Sequence, residues 1–189
     1  MTIHPSSSDP GLDADALSTE EHVAAVGWIR TFTGKRVTPL DMKPEMVNIR
    51  DIAHALARIC RYGGHVAGFV SVGLHSIEVA HMVAEDHPEL ALEALLHDAA
   101  EAYLGDLVRP LKKHPLLRDV YLAAEQRAET AISEVFGLRY PFPEIISICD
   151  DQRLTWEMEN IRDAPHWTEQ PRKVETSFLQ YFNHLRKTR

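Results

Sequence analysis

Cysteine is scarce in this sequence: Cys60 and Cys149 are the only two in 189 residues, and neither belongs to a C-x-x-C pair. A disulfide framework and a cysteine zinc site are therefore not expected, and a reducing cytoplasm is the expected setting. Long apolar runs are missing too, since none reaches the ~18 residues of a membrane span. Residues 1–17 carry neither a basic stretch nor an apolar core, so no secretory signal is read there. Positive charge is also short, and the formal net charge is −8. Proteins that grip long nucleic acid usually present a basic surface. Neither long nucleic acid nor a membrane is thus an expected partner. Any phosphate this chain binds should be small and held locally. Internal repeats, low-complexity stretches, a GxGxxG and a Walker loop are all absent.

What is present is ordinary for a soluble globular protein, with 44% apolar and 25% charged residues. The length suits one core. Residues 1–18, rich in Ser, Pro, Asp and Gly, read as a flexible tail, and 19–189 as a single domain. Ser18-Thr19-Glu20-Glu21 has capping-box spacing and predicts a first short helix over 20–31. The stretch 32–47, with Gly34, Pro39 and Pro44, reads as an irregular connection with a short strand pair. Beyond it the apolar spacing predicts helices near 50–62, 72–85, 89–104, 116–136, 144–161 and 174–186. The expected architecture is all-α, a compact bundle of five or six helices. A homo-oligomer is expected.

The 11 histidines stand out for this length. In the helix over 72–85, Val72, His75, Val79, Met82 and Val83 share one face, so His75 points among apolar residues. Taken alone, it reads as a core histidine bonded to a carbonyl. The helix over 89–104 carries Ala94, His97, Asp98 and Glu101 on one stripe within an apolar context. Buried carboxylates are costly unless paired or bound to metal. The competing reading is a polar network between helices. A third helix places Ile146, Cys149, Asp150, Leu154, Glu157 and Ile161 on one face, which turns Asp150 inward and leaves Asp151 to solvent. Two imidazoles and two carboxylates from three helices suit Mn²⁺, Fe²⁺, Co²⁺, Ni²⁺ or Zn²⁺. Positions left open would admit water and substrate.

The ordered set His75, His97-Asp98 and Asp150 resembles the H…HD…D signature of the HD-domain metal phosphohydrolases. Leu74-His75-Ser76 and the run Leu96-His97-Asp98-Ala99-Ala100-Glu101 through Asp106 are similar to the YfbR-like 5′-deoxynucleotidases. Asp51-Ile52-Ala53-His54-Ala55-Leu56, Ile59-Cys60-Arg61-Tyr62-Gly63-Gly64-His65 and Ser71-Val72-Gly73-Leu74-His75 resemble the YfdR-like subgroup of phage and prophage proteins, near the phage dATP triphosphohydrolases. The likeness covers roughly residues 28–163. It departs at Gly73, where alanine is more usual, and at Asp150-Asp151, which doubles the last acid.

This resemblance implies an HD-domain bundle and hydrolysis of phosphate from a deoxynucleotide, either a dNMP or a dNTP, with a divalent transition metal as cofactor. His75, His97, Asp98 and Asp150 then correspond to the metal ligands. Glu101 corresponds to the acid that orients or deprotonates the attacking water, and Asp106 to an acid that holds water and the nucleoside side. Arg61 corresponds to a substrate-binding arginine suited to phosphate. Lys112 offers a second phosphate contact, and His54 and His65 flank the Arg61 segment as candidate pocket residues. Two alternatives stay open. A mixed-valent di-iron HD oxygenase would draw further ligands from His54, His65 and Glu101, and a non-catalytic nucleotide sensor would keep the fold alone.

Overall fold

A computed structural model describes residues 27–160, 163 and 168–189. The tail and most of the first expected helix, over 20–26, lie outside the described residues. At its far end the expected helix gives way to a strand. Ile29–Arg30 (β1) pairs antiparallel with Arg36–Val37 (β2) around a tight turn at Gly34, whose φ is +88°. Alternating β-branched residues followed by a glycine favour such a hairpin over a helix. Asp51 fastens the hairpin: its buried carboxylate accepts the Thr33 backbone N–H at 2.6 Å and the Thr33 hydroxyl at 2.8 Å.

The rest is all-α, with eight α-helices among the described residues. Asn48 caps Ile49–Leu56 (α1) by accepting from the Arg50 N–H at 2.9 Å. This helix stops well short of the expected residue 62. The chain instead turns and pairs with the segment before the next helix, through a bridge between Cys60 and Ser71 and a bond from the Arg61 N–H to the Val70 carbonyl at 2.9 Å. Ser71 then caps Val72–Asp86 (α2), its hydroxyl accepting from the Leu74 N–H at 3.1 Å.

The helix expected over 89–104 is interrupted. Ala91–Leu95 (α3) and Glu101–Leu104 (α4) are separated by tight i→i−3 turns, such as Ala99 N–H to the Leu96 carbonyl and Glu101 N–H to the Asp98 carbonyl, both 3.0 Å. At the break the His97 side chain takes the Ala94 carbonyl at 2.7 Å, and the backbone bond from the His97 N–H to that carbonyl stretches to 3.5 Å. A side chain that competes for a backbone carbonyl loosens the helical ladder.

A short helix, Arg109–Lys112 (α5), follows that the apolar spacing did not announce. Arg118–Phe136 (α6) ends at Gly137, which supplies the left-handed cap. Glu144–Asn160 (α7) and Pro171–Thr188 (α8) complete the set, the latter opening on proline.

Helix α2 is central and packs against α3, α7 and α8. Gly73 makes the α1 contact close, since a Cβ there would lie 3.0 Å from the Ala57 nitrogen. The core gathers Ile52, Leu56, Val72, Val79, Val83, Leu95, Leu96, Ile132 and Phe178, all essentially inaccessible. Among the described residues no helix is long and apolar enough to cross a membrane.

Candidate active site

The buried face of α2 carries His75 into the core beside Val72 and Val79. Its Nε2 lies 3.0 Å from Asp150 Oδ1 and 3.7 Å from Asp98 Oδ2. The turn between α3 and α4 brings His97 alongside, with ring centroids 5.5 Å apart and His97 Nε2 3.2 Å from Asp98 Oδ2. One ligand atom each from His75, His97 and Asp150 lies within 4.8 Å of the others, so these three could hold a metal ion. Asp98 touches both imidazoles without belonging to that mutually close trio.

The side chains fit an ion. His97 Nδ1 donates to the Ala94 carbonyl, which leaves its buried Nε2 to face the cluster, 3.2 Å from Asp98 Oδ2 and without a well-formed hydrogen bond. The local field favours positive charge there. Burial works against a charged His97, yet Asp98 and Asp150 outweigh it and push the imidazole up to about 9. Burial likewise opposes a charged Asp98, but His97, His75 and Arg61 draw it well below its usual range.

Asp98 and Asp150 also line a cavity of about 460 Å³, and so connect the histidines to solvent. Its other polar walls are Arg61, Glu101, Asp106, Arg109 and Lys112, and its apolar walls include Tyr62, Leu107, Val108, Leu154 and Met158. Arg61 is nearly buried and reaches toward Asp98, with Nη1 4.0 Å from Oδ2. Glu101 is buried as well. One of its carboxylate oxygens accepts from Lys112 Nζ at 3.0 Å and the other has no hydrogen-bond partner. Burial, with Asp98 adding to it, raises the Glu101 carboxyl well above its ordinary value. Lys112 also contacts Glu125 at 3.2 Å, and burial lifts Asp106.

Eight of the ten residues singled out in the sequence therefore meet at or behind one cavity. His65 is exposed and does not line it. His54 is held elsewhere, by Glu175 at 3.3 Å and by stacking on Phe32. Asp151 is solvent-facing, 2.6 Å from Arg109. Three contributors escaped the sequence reading: Tyr62, Arg109 and Glu157. Glu157 lies on the inward face of α7, yet its residue type gave no sign of its partners. It accepts from His75 Nδ1 at 3.0 Å, Arg61 Nε at 2.9 Å, the Tyr62 hydroxyl at 2.8 Å and Arg153 Nε at 3.3 Å.

No family model matches the chain. It is similar to the uncharacterized protein YfdR of Escherichia coli, 39% identical over 113 residues that make up 60% of each chain. It is also similar to the uncharacterized protein RCAP_rcc00048 of Rhodobacter capsulatus, 36% identical over 122 residues, 61% of each chain. The matches thus span about three fifths of the length of these curated relatives, and neither name states an activity.

Proposed function

We propose that this protein is a divalent-metal-dependent phosphohydrolase of the HD-domain type, acting on a deoxynucleotide. The observation that carries the reading is the pair Asp98 and Asp150. They contact the histidines and also line a cavity whose wall includes Arg61 and Lys112.

His75, His97 and Asp150, with Asp98 beside them, would hold the ion, and this mixture of imidazole and carboxylate suits Mn²⁺, Co²⁺, Fe²⁺, Ni²⁺ or Zn²⁺. Such an ion, when bound, supplies Lewis acidity toward a phosphoryl oxygen and makes water a better nucleophile at neutral pH. The chain's own groups do the rest. Arg61 and Lys112 offset phosphate charge. Glu101, with one carboxylate oxygen free and a raised proton affinity, accepts a proton from the attacking water. Asp106 helps to hold that water. The apolar walls at Tyr62, Val108, Leu154 and Met158 receive the nucleoside, and the cavity volume lies within the ordinary range for small ligands.

The di-iron oxygenase alternative draws no support from His54, which is engaged with Glu175, or from His65, which is exposed. The test is phosphate release from a panel of dNMPs and dNTPs with Mn²⁺, Co²⁺ and Mg²⁺ each present. Metal-dependent release that is lost in His97→Ala is expected. No release from any member with any of the metals would sink the reading.

A further inference from the structure

Glu157 lies two turns beyond Asp150 on α7, and its side chain is wholly buried. A carboxylate so deep is strongly unfavourable unless its oxygens are met. Ionised, it offers about four lone-pair positions and no donor, and four donors meet it. His75 and Arg153 reach Oε1, while Arg61 and Tyr62 reach Oε2.

Two of these donors belong to different halves of the site. His75 turns Nδ1 to Glu157 and its other nitrogen to Asp150 and Asp98. Arg61 gives Nε to Glu157, brings Nη1 to 4.0 Å from Asp98 Oδ2 and lines the cavity. The Tyr62 hydroxyl bond secures the same loop, where Tyr62 holds the left-handed backbone at φ 60°. Arg61 therefore sits beside α7 through its side chain and beside α2 through its bond to Val70.

We propose that Glu157 is the positioning residue that couples cation holding to phosphate holding in this site. Accepting the Nδ1–H of His75 fixes the ring so that its Nε2 lone pair is the one presented to the cation. Gripping Arg61 at Nε holds the terminal nitrogens of the guanidinium beside Asp98 in one fixed aim, from which they can meet a phosphate. The same carboxylate does both, so its loss is felt in both halves. This inference rests on the phosphohydrolase reading above.

Glu157→Gln is the informative change. Glutamine keeps the shape but has one acceptor oxygen and an NH₂ group that only donates. That NH₂ must face either the Nδ1–H of His75 or the Nε–H of Arg61, a clash of donors in both cases. In the purified full-length chain, titration calorimetry should show Mn²⁺ affinity falling ~10–100-fold, the usual effect of losing such a partner. Binding of inorganic phosphate to the Mn²⁺-saturated protein should fall as well. Arg61→Ala in the parent should weaken phosphate at least ~10-fold and leave Mn²⁺ affinity within about twofold. In the Glu157→Gln background, Arg61→Ala should add little, because its aim is already lost.

A Glu157→Gln protein that binds Mn²⁺ as tightly as the parent overturns the proposal, whatever its melting temperature, and leaves Glu157 a structural anchor. Should that variant fail to fold, the parent decides. With Zn²⁺ bound, nitrogen-15 NMR should find the His75 proton on Nδ1, and a proton on Nε2 overturns the proposal. If the parent binds no ion that His97→Ala removes, the phosphohydrolase reading fails together with this inference. If the parent binds Mn²⁺ and hydrolyses nucleotide while Glu157→Gln matches it in metal affinity, only this inference fails.

Discussion

His97 and Ala94 are joined by a 2.7 Å bond from the imidazole Nδ1 to the backbone carbonyl, at the point where the helical ladder breaks. The bond holds a proton on Nδ1 and so turns Nε2, 3.2 Å from Asp98 Oδ2, toward His75 and Asp150. His97→Ala and Asp150→Asn should therefore each abolish tight binding of Mn²⁺ or Co²⁺. Either variant leaves a poor partial site with an uncompensated neighbour. Equilibrium dialysis with metal analysis checks this, and parent-like binding in both variants would remove the cluster as a metal site.

Glu101 separates chemistry from assembly. Its buried carboxylate has one oxygen on Lys112 and one without a hydrogen-bond partner. Glu101→Gln keeps the shape and can still accept from Lys112, but it is no longer a base. The variant should fold, hold its metal and bind nucleotide, while kcat falls at least ~10²-fold. Melting, metal content and single-turnover hydrolysis on one preparation distinguish this from a purely structural role, which would lower stability and metal content together. Near-normal turnover with full metal would exclude Glu101 as the base.

The site's outline was legible in the sequence because helical periodicity is local. Val72, His75, Val79 and Val83 share a buried face, and Asp150 turns inward while Asp151 stays exposed, through spacing alone. The break at 96–100 was not legible. It depends on a side chain taking a carbonyl, which period counting cannot register, and an unbroken apolar stripe masks it. Nor could the sequence show that the chain after α1 leaves its helix to pair with the segment before α2. That pairing is what brings Arg61 to α7. Glu157 was hidden for the same reason, since three of its four donors come from residues 61, 62 and 75, more than eighty positions away. Non-local contacts gave those groups their roles.

Asp51 ties the hairpin to α1 through both donors of Thr33. Asp51→Ala would leave the Thr33 N–H without its acceptor and should cost about 1–3 kcal/mol. For a chain of this size that corresponds to a fall of several degrees in melting temperature. Thr33→Ala keeps the backbone bond to Asp51, loses the hydroxyl's bond to Asp51 and its long contact with Asn48 Nδ2, and should cost about half as much or less. Equal melting temperatures for parent and Asp51→Ala would mean that the hairpin contributes nothing to cooperative stability.

Glu129 gives a stability effect with a definite pH direction. It sits on α6, accepting from the Tyr140 hydroxyl at 3.0 Å. Burial raises its carboxyl from 4.5 to about 7; the Tyr140 bond opposes the rise and Glu125 adds to it. Between those two values the folded chain holds a proton that the unfolded chain has released, so stability falls as pH rises through that window. Above it the folded state carries a half-buried charge that the unfolded state solvates freely. Glu129→Gln removes the charge and keeps an oxygen for Tyr140. The variant's melting temperature should match the parent's near pH 4, where Glu129 is protonated in both states. The variant should then gain on the parent up to pH 8, by an amount on the order of 1–3 kcal/mol. Melting curves for the two proteins at pH 4, 5, 6, 7 and 8 measure the difference directly, with the other titrating groups cancelling between them. A difference that stays flat across that range would show that Glu129 ionises in the folded chain as it does in water, and that its burial beside Tyr140 is relieved by solvent.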